Sequence, residues 1–423
     1  MTFVEMRPVG RRAFFRTLAH FSAACLIGTL VTDIAYWRTA DMFWADFSAW
    51  LVTVGFAVGV LALIVGLLES LRRRSLIDPP DWGAALVGVL ALVAAFCNVM
   101  VHARDGWTSV VPWGLGLSAL TVLLILVFPR GSSAKRATVA GLAIALVGGV
   151  AVQGVRAFDI ASQIGPNPSL PEPEESLFPH MHLASVVGWG QDEKPEVAAG
   201  LAIAPLAQNL QHPRSLTVLP NGDVLVVESV APKLSWIHRP KDFVMGLIEA
   251  WVTNGGKTGP SNRITLLRGG ADGKPAQSHV FLENLSSPFG VALVGADLYV
   301  ANTDSLMRYP YREGETKITA EGEPLMPLPG GPIDHHWTKS LVASRDGKLL
   351  YVGVGSNSNV AENGMEAEKN RAAILEVERA TGRFRIFASG LRNPNGLSFE
   401  PESGALWTVV NERDELGPNL VPD

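Results

Sequence analysis

The sequence predicts a two-part chain, a set of membrane-crossing α-helices followed by an all-β region of repeated strand pairs. Three observations carry this reading. Five apolar runs of 19 to 22 residues lie before residue 156, the charge balance turns from basic to acidic near residue 160, and a strand–turn–strand pattern recurs four times after residue 200. The 423 residues are 48% hydrophobic and only 18% charged. Soluble chains are usually about 25% charged, so part of this chain is not in water.

The runs are Leu18–Trp37, Phe47–Leu68, Gly83–Val101, Ser109–Phe128 and Ala137–Val155, and the last four hold no Asp, Glu, Lys or Arg. About 20 apolar residues cross a bilayer core, so five transmembrane helices are expected within a membrane domain at residues 1–158. The first run is too long for a signal peptide, and no small-residue cleavage site follows it. Ten basic residues (Arg7, Arg11, Arg12, Arg16, Arg72, Arg73, Arg74, Arg130, Lys135 and Arg136) flank the runs on one side, against Arg38 and Arg104 on the other. The positive-inside rule then puts the N-terminus in the cytoplasm and the second half outside, on the periplasmic or extracellular side of a bacterial inner membrane. Tyr36, Trp37, Trp44, Trp50, Trp107 and Trp113 gather near the outer ends, as an interfacial belt does.

Three ionisable groups within or beside these runs, His20, Asp33 and His102, are functional candidates by their position. A haem held by His20 and His102 conflicts with the topology, which puts them near opposite faces; hydrogen bonding or helix packing is the plainer role. Cys25 and Cys97, the only cysteines, sit inside apolar runs, which excludes a disulfide scaffold and a Cys-based zinc site. The His near the start of the first run, Asp33 near its end and the Gly-rich second run ending Val65-Gly66-Leu67-Leu68-Glu69 resemble an uncharacterised family of bacterial multi-span membrane domains. This resemblance covers roughly residues 15–130 and implies no chemistry.

Residues 159–200 are expected to form a Pro-rich, acidic linker, carried by Gly165-Pro166-Asn167-Pro168 and Pro171-Glu172-Pro173-Glu174-Glu175. His180 and His182 lack a third ligand and are not read as a metal site. Residues 1–160 hold 13 Lys+Arg against 9 Asp+Glu, and the remainder holds 22 against 31. The second half therefore offers no basic face for nucleic acid.

From residue 201 onward, short apolar alternations are broken by Gly, Asn, Asp and Pro, the pattern of strands joined by tight turns. The four repeats are His212–Glu228, Ser287–Ala301, His336–Val352 and Asn393–Val409. All-β repeats at about this spacing indicate a propeller. The wide gap after the first copy fits an insertion around Phe243–Pro260. Four copies fall short of a usual ring, so residues 201–423 are expected to be an incomplete propeller of about four blades, in a chain that is a fragment.

Four segments exceed what turns require: Asp334–Leu341, Gly353–Asn359, Gly390–Gly396 and Asn411–Asn419. Blade-entry residues of a propeller converge on its central channel, so a His from one blade and an Arg from the next are able to face one ligand. Such a pair suits oxidation of an alcohol or hemiacetal. The His removes the hydroxyl proton, the hydride passes to an organic cofactor, and the Arg stabilises developing charge. The plain alternative is that both residues tie adjacent blades together.

These segments resemble the glucose/sorbosone dehydrogenase family, six-bladed propellers that use pyrroloquinoline quinone (PQQ) and calcium. The resemblance covers about residues 200–423 and is most specific over Gly331–Leu341, Gly390–Pro401 and Asn411–Gly417. It implies that His336, five residues before Leu341, is the catalytic base, with His335 and Asp334 as neighbours toward the cofactor. It implies that Arg392 and Asn393 contact the quinone, with Arg392 also acting in catalysis. Calcium is expected in the loop Glu412–Pro418, on main-chain oxygens of Gly417 and Pro418 and on the Asp414 carboxylate, since oxygen ligands suit calcium. The family also clamps its cofactor with basic residues from later blades, which have no counterpart before Asp423.

The expected activity is a membrane-anchored, periplasm-facing dehydrogenase for a sugar or related aldehyde, with PQQ and Ca2+ as cofactors and a membrane electron acceptor as a further partner. Two other readings stay open. A calcium-dependent lactonase-like hydrolase requires a side-chain cage of Asp, Glu and Asn. A binding propeller without chemistry leaves His336 as a blade tie.

Overall fold

A computed structural model gives the fold and describes residues 9–72, 82–104, 110–127, 190, 193–232, 239–252, 261–270, 276–331 and 333–414. These fall into two compact units, one helical and one of strands.

The helical unit contains α1 (Val9–Thr39), α2 (Met42–Arg72), α3 (Trp82–His102) and α4 (Trp113–Val127). Asp41 caps α2, its Oδ1 accepting the Phe43 N–H at 3.0 Å. The segments Phe14–Thr39 and Met42–Leu68 are long and apolar enough to cross a membrane, whereas Leu86–His102 and Trp113–Leu126 are shorter apolar helices. The fifth expected span, Ala137–Val155, lies outside the described residues, as does most of the linker.

The unit is apolar outside and partly polar inside. Phe21, Val31, Phe43, Phe47, Leu61, Ile64 and Leu67 are exposed, while Ser22, Thr29, Asp33, Ser48, Asn98, His102 and Ser118 are buried. Water reverses that arrangement and lipid favours it, because in lipid polar groups must find partners within the bundle. The haem arrangement finds no support. His20 is exposed, and both ring nitrogens of His102 are committed, Nδ1 to Asn98 O at 3.0 Å and Nε2 to Asp33 Oδ1 at 2.9 Å.

Among the described residues, the second unit has three four-stranded antiparallel sheets and a hairpin. The first sheet is β1 (Pro213–Val218), β2 (Val224–Glu228), β3 (Arg263–Arg268) and β4 (Gln277–Leu282). The second is β5 (Gly290–Val294), β6 (Asp297–Ala301), β7 (Ser305–Pro310) and β8 (Glu323–Pro327). The third is β9 (Lys339–Ala343), β10 (Leu349–Val354), β11 (Ala373–Glu378) and β12 (Phe384–Ser389), and the hairpin is β13 (Asn393–Phe399) with β14 (Leu406–Asn411). Each sequence repeat is the opening hairpin of one sheet. The insertion after the first repeat contains a helix, α5 (Pro240–Val252), between β2 and β3; Ile237–Gly246 groups with the helical unit and the rest of α5 with the strand unit.

Successive sheets pack through alternating side chains. On β6, Leu298 and Val300 face the first sheet, meeting Leu225, Val227, Ile264 and Leu266. Tyr299 and Ala301, on the opposite pleat, face the third sheet with Leu350, Val352 and Leu375. The opening strands are neighbours, β1 beside β5, β5 beside β9 and β9 beside β13. Gly290 permits the second of these approaches, since a Cβ there would stand 2.6 Å from Lys339 O. The residues entering one sheet are thereby set against those entering the next.

Candidate active site

The loop Ile333–Thr338 leads into β9, Gly355–Asn363 follows β10, and Arg392 immediately precedes β13. Backbone bonds stitch the three together: His335 N donates to Asn357 O at 3.0 Å and Ser356 N to Arg392 O at 2.7 Å. The Glu368 carboxylate holds the middle loop by accepting the Asn357 N–H at 2.8 Å, and Asn357 Nδ2 donates to Ile333 O at 2.6 Å.

His336 sits at this junction, half-buried. Its Nδ1 lies 3.1 Å from Ser356 O and 2.9 Å from Ser356 Oγ. The carbonyl can only accept, and Ser356 Oγ gives its own proton to Ser358 O at 2.6 Å. Nδ1 therefore carries the ring proton, which leaves Nε2 as the bare lone pair. Burial, and then the Arg392 charge, push the imidazole down to about 4, so the ring is neutral near pH 7. An unperturbed histidine titrates at about 6.5; these surroundings lower it.

Arg392, half-buried, is held by Asn359 and by the exit of β14. Its Nε donates to Asn359 O at 3.0 Å and one terminal nitrogen to Asn359 Oδ1 at 2.7 Å. The other donates to Asn411 O at 3.0 Å and to Glu412 O. Asn393 is buried, and its Oδ1 has no hydrogen-bond partner among the described residues. Gly355 lies between Asn393 and His336. A methyl group there would meet His336 Cβ and stand 2.7 Å from Asn393 Oδ1. Gly355→Ala is accordingly expected to cost about 1–3 kcal/mol, as overpacking of a tight site does, and to displace the His336 ring. Thermal unfolding followed by tryptophan fluorescence, with the His336 ring resonances, checks both effects.

The structure thus brings His336, Arg392 and Asn393 to one junction. His335 is exposed beside it. Asp334 is buried, with both carboxylate oxygens engaged. Oδ1 accepts from Arg371 at 2.6 Å, and Oδ2 accepts from Thr303 at 2.8 Å and from Lys339 Nζ at 3.3 Å. Lys339 is fully buried, and its Nζ also donates to Trp337 O at 3.0 Å. Burial pushes its ammonium down to about 8, against the pull of Asp334. Asp414 is exposed past β14, and Gly417 and Pro418 lie outside the described residues. Among the described residues, no cluster of three or more His, Cys, Asp or Glu side chains is placed to hold a metal ion.

The roles of Ser356, Asn359, Lys339 and Arg371 were not assigned from the sequence. The first two belong to the small-residue loop after β10, whose excess of Ser and Asn was the usable signal. Lys339 had a weaker one, a lone cation at the start of an apolar strand. Arg371 had none.

Residues 16–133 match the family described as Predicted membrane protein (DUF2231), and residues 267–421 match the TrAA12-like family. The holo form of the pyranose dehydrogenase PQQ domain from Coprinopsis cinerea is 21% identical at a TM-score of 0.41, over 55% of this chain and 52% of that one. The calcium structure of a Trichoderma reesei family AA12 enzyme is 17% identical at 0.38, over 53% of each chain. The PQQ-bound aldose sugar dehydrogenase from Streptomyces coelicolor is 17% identical at 0.33, over 48% and 57%. An uncharacterised protein of Borreliella burgdorferi is 25% identical over 160 residues, 36% of this chain and 41% of that protein. The chain spans about half the length of these solved structures and less of that relative. It joins a segment that matches the DUF2231 membrane-protein family to a segment that matches the TrAA12-like family.

Proposed function

We propose that the strand unit is a quinoprotein dehydrogenase domain that oxidises a sugar or related aldehyde, and that the N-terminal helices hold it at a bacterial inner membrane. The observation that carries this reading is the state of His336, neutral, with Nδ1–H committed to Ser356, Nε2 without a hydrogen-bond partner among the described residues, and the Arg392 charge acting on the ring. A structural tie between blades needs no such free nitrogen. The three sheets and the hairpin are read as blades of a six-bladed ring.

The residues fit PQQ, which presents anionic carboxylates and carbonyls for a cation and a ring N–H for an acceptor. Asn393 Oδ1 is a buried acceptor without a donor among the described residues, and the Arg392 cation stands at the same junction. Arg392 and Asn393 would hold the group, which when bound supplies a two-electron acceptor. The chain's own contribution is acid–base and electrostatic. His336 Nε2 takes the proton of the substrate hydroxyl, and the electrons of that O–H bond form the new C=O bond as the adjacent hydrogen leaves with its electron pair. Arg392 stabilises negative charge that develops on oxygen. We assign Asp334 to holding the loop beneath His336. We also propose calcium as a cofactor, on the all-oxygen set that the family resemblance implies, the Asp414 carboxylate and the main chain of Gly417 and Pro418.

PQQ titration of the purified chain with calcium present tests the binding half of this proposal. Saturable binding that weakens about tenfold or more in Arg392→Ala, the scale of a lost charged hydrogen bond, supports it. Unchanged affinity in Arg392→Ala and Asn393→Ala counts against it. The topology proposed is five spans with the N-terminus in the cytoplasm and the strand unit in the periplasm, supported by the bias of basic residues. A reporter fused after Arg156 is expected to be active only if it functions in the periplasm. Activity of a cytoplasm-only reporter there overturns the arrangement.

A further inference from the structure

The helical unit holds a buried polar cluster that the proposed oxidation does not use. Asp33 on α1 is fully buried and accepts from three other helices. Ser118 Oγ on α4 donates to Oδ2 at 2.6 Å, His102 Nε2 on α3 lies 2.9 Å from Oδ1, and Ser48 Oγ on α2 donates to Oδ1. His102 Nδ1 faces the Asn98 backbone carbonyl, which can only accept, so Nδ1 carries a proton. Two bare acceptors do not approach to 2.9 Å, so one further proton is shared by Nε2 and Oδ1, with Ser48 Oγ also 3.2 Å from Nε2. The pair has zero net charge with the proton on either partner, and the hydroxyl donors of Ser48 and Ser118 favour the arrangement with the proton on His102.

Two features set this pair apart from a simple packing device. Asn98 Nδ2 donates to Ser118 Oγ at 2.7 Å, which extends the network. The other end of that amide, Oδ1, is buried and has no partner among the described residues. A buried amide oxygen left without a donor is destabilising, so the network ends on an acceptor suited to an O–H donor such as water. The second feature is position. Asp33 lies six residues before the end of α1, Ser48 six after the start of α2 and Ser118 five after the start of α4, while His102 closes α3. All four are within about 9 Å of one end of the bundle at 1.5 Å per residue. Among the described residues, the other titratable groups at this end are Tyr36 and Arg38 on α1, Asp46 on α2 with Asp41 at its cap and Arg239 3.8 Å from the Asp46 carboxylate, Cys97 on α3 and Arg104 past it; α4 has none.

We propose that Asp33 and His102 form a proton-exchange site that holds one shared proton between α1 and α3 and exchanges it with a water anchored on the Asn98 amide. In each exchange a proton from that water replaces the shared one, which leaves on the water. Nothing is oxidised or reduced, and the pair stays neutral. The site stands independently of the dehydrogenase proposal.

The test uses the full chain in lipid nanodiscs with 15N-labelled histidine, the His102 signal being identified by its loss in His102→Gln. Near neutral pH both ring nitrogens of His102 are expected to be protonated. In Asp33→Asn, with helix content unchanged, Nε2 is expected to move to the unprotonated position. After transfer to D2O the Nε2 proton exchanges within minutes, and about tenfold or more slowly in Asn98→Leu, which removes the anchoring acceptor. A bare Nε2 in the natural chain, a doubly protonated ring surviving in Asp33→Asn, a signal that persists for hours in D2O, or unchanged exchange in Asn98→Leu each overturns the proposal.

Discussion

His336→Ala is expected to lower sugar turnover by about 10²-fold or more, the scale on which a general base contributes, while PQQ binding changes far less. Arg392→Ala differs in weakening both, and His335→Ala is mild because that side chain lies exposed beside the junction. The pH profile carries the sharper signature. A base must be neutral to work, so kcat/KM falls as pH drops through the free-protein value of His336, which burial and Arg392 push down to about 4. The acid limb therefore lies near 4 and not at the ordinary value of about 6.5, and it vanishes in His336→Ala. The same depression lowers stability as pH falls from about 6.5 through 4, because the unfolded chain takes the proton first.

Asp334→Ala is expected to give the largest loss of stability of any single change considered. It strips the carboxylate from between Arg371 and Lys339, both buried, and leaves two cations unpaired. Removing one partner of a buried ion pair costs about 3–5 kcal/mol. Asp334→Asn, which keeps an acceptor for Thr303, falls between the two. Unfolding of the PQQ-free chain, followed by tryptophan fluorescence, is the measurement. If Asp334 served the cofactor alone, PQQ-free stability would be unchanged and only PQQ affinity would drop.

Much of this fold was legible because its signals are local. The opening hairpins β1–β2, β5–β6, β9–β10 and β13–β14 each carry apolar strands around a Gly-containing turn, and these were the repeats seen. The closing strands carry no such signal. β8 is Glu-Pro-Leu-Met-Pro and β12 is largely exposed, so neither alternates as a half-buried strand does. In the helical half the apolar runs marked each helix, but α1 begins at Val9 and not at Leu18, because Arg11, Arg12 and Arg16 extend it without apolar character. In the site, segment chemistry marked a His and an Arg from adjacent blades, and the family resemblance singled out His336, Arg392 and Asn393. The partners of Asp334 were not, since Thr303 lies 31 residues before it and Arg371 lies 37 after. Nor was the meeting of Asp33 with His102, which are 69 residues apart; only the folded bundle joins them.

The claim that this chain oxidises sugars with PQQ is tested most directly by reduction of an artificial electron acceptor by the purified chain in nanodiscs, supplied with PQQ and calcium. The account predicts reduction that needs both sugar and PQQ and that falls by about 10²-fold in His336→Ala. No sugar-dependent reduction despite saturating PQQ, or equal rates in the natural chain and His336→Ala, would contradict it.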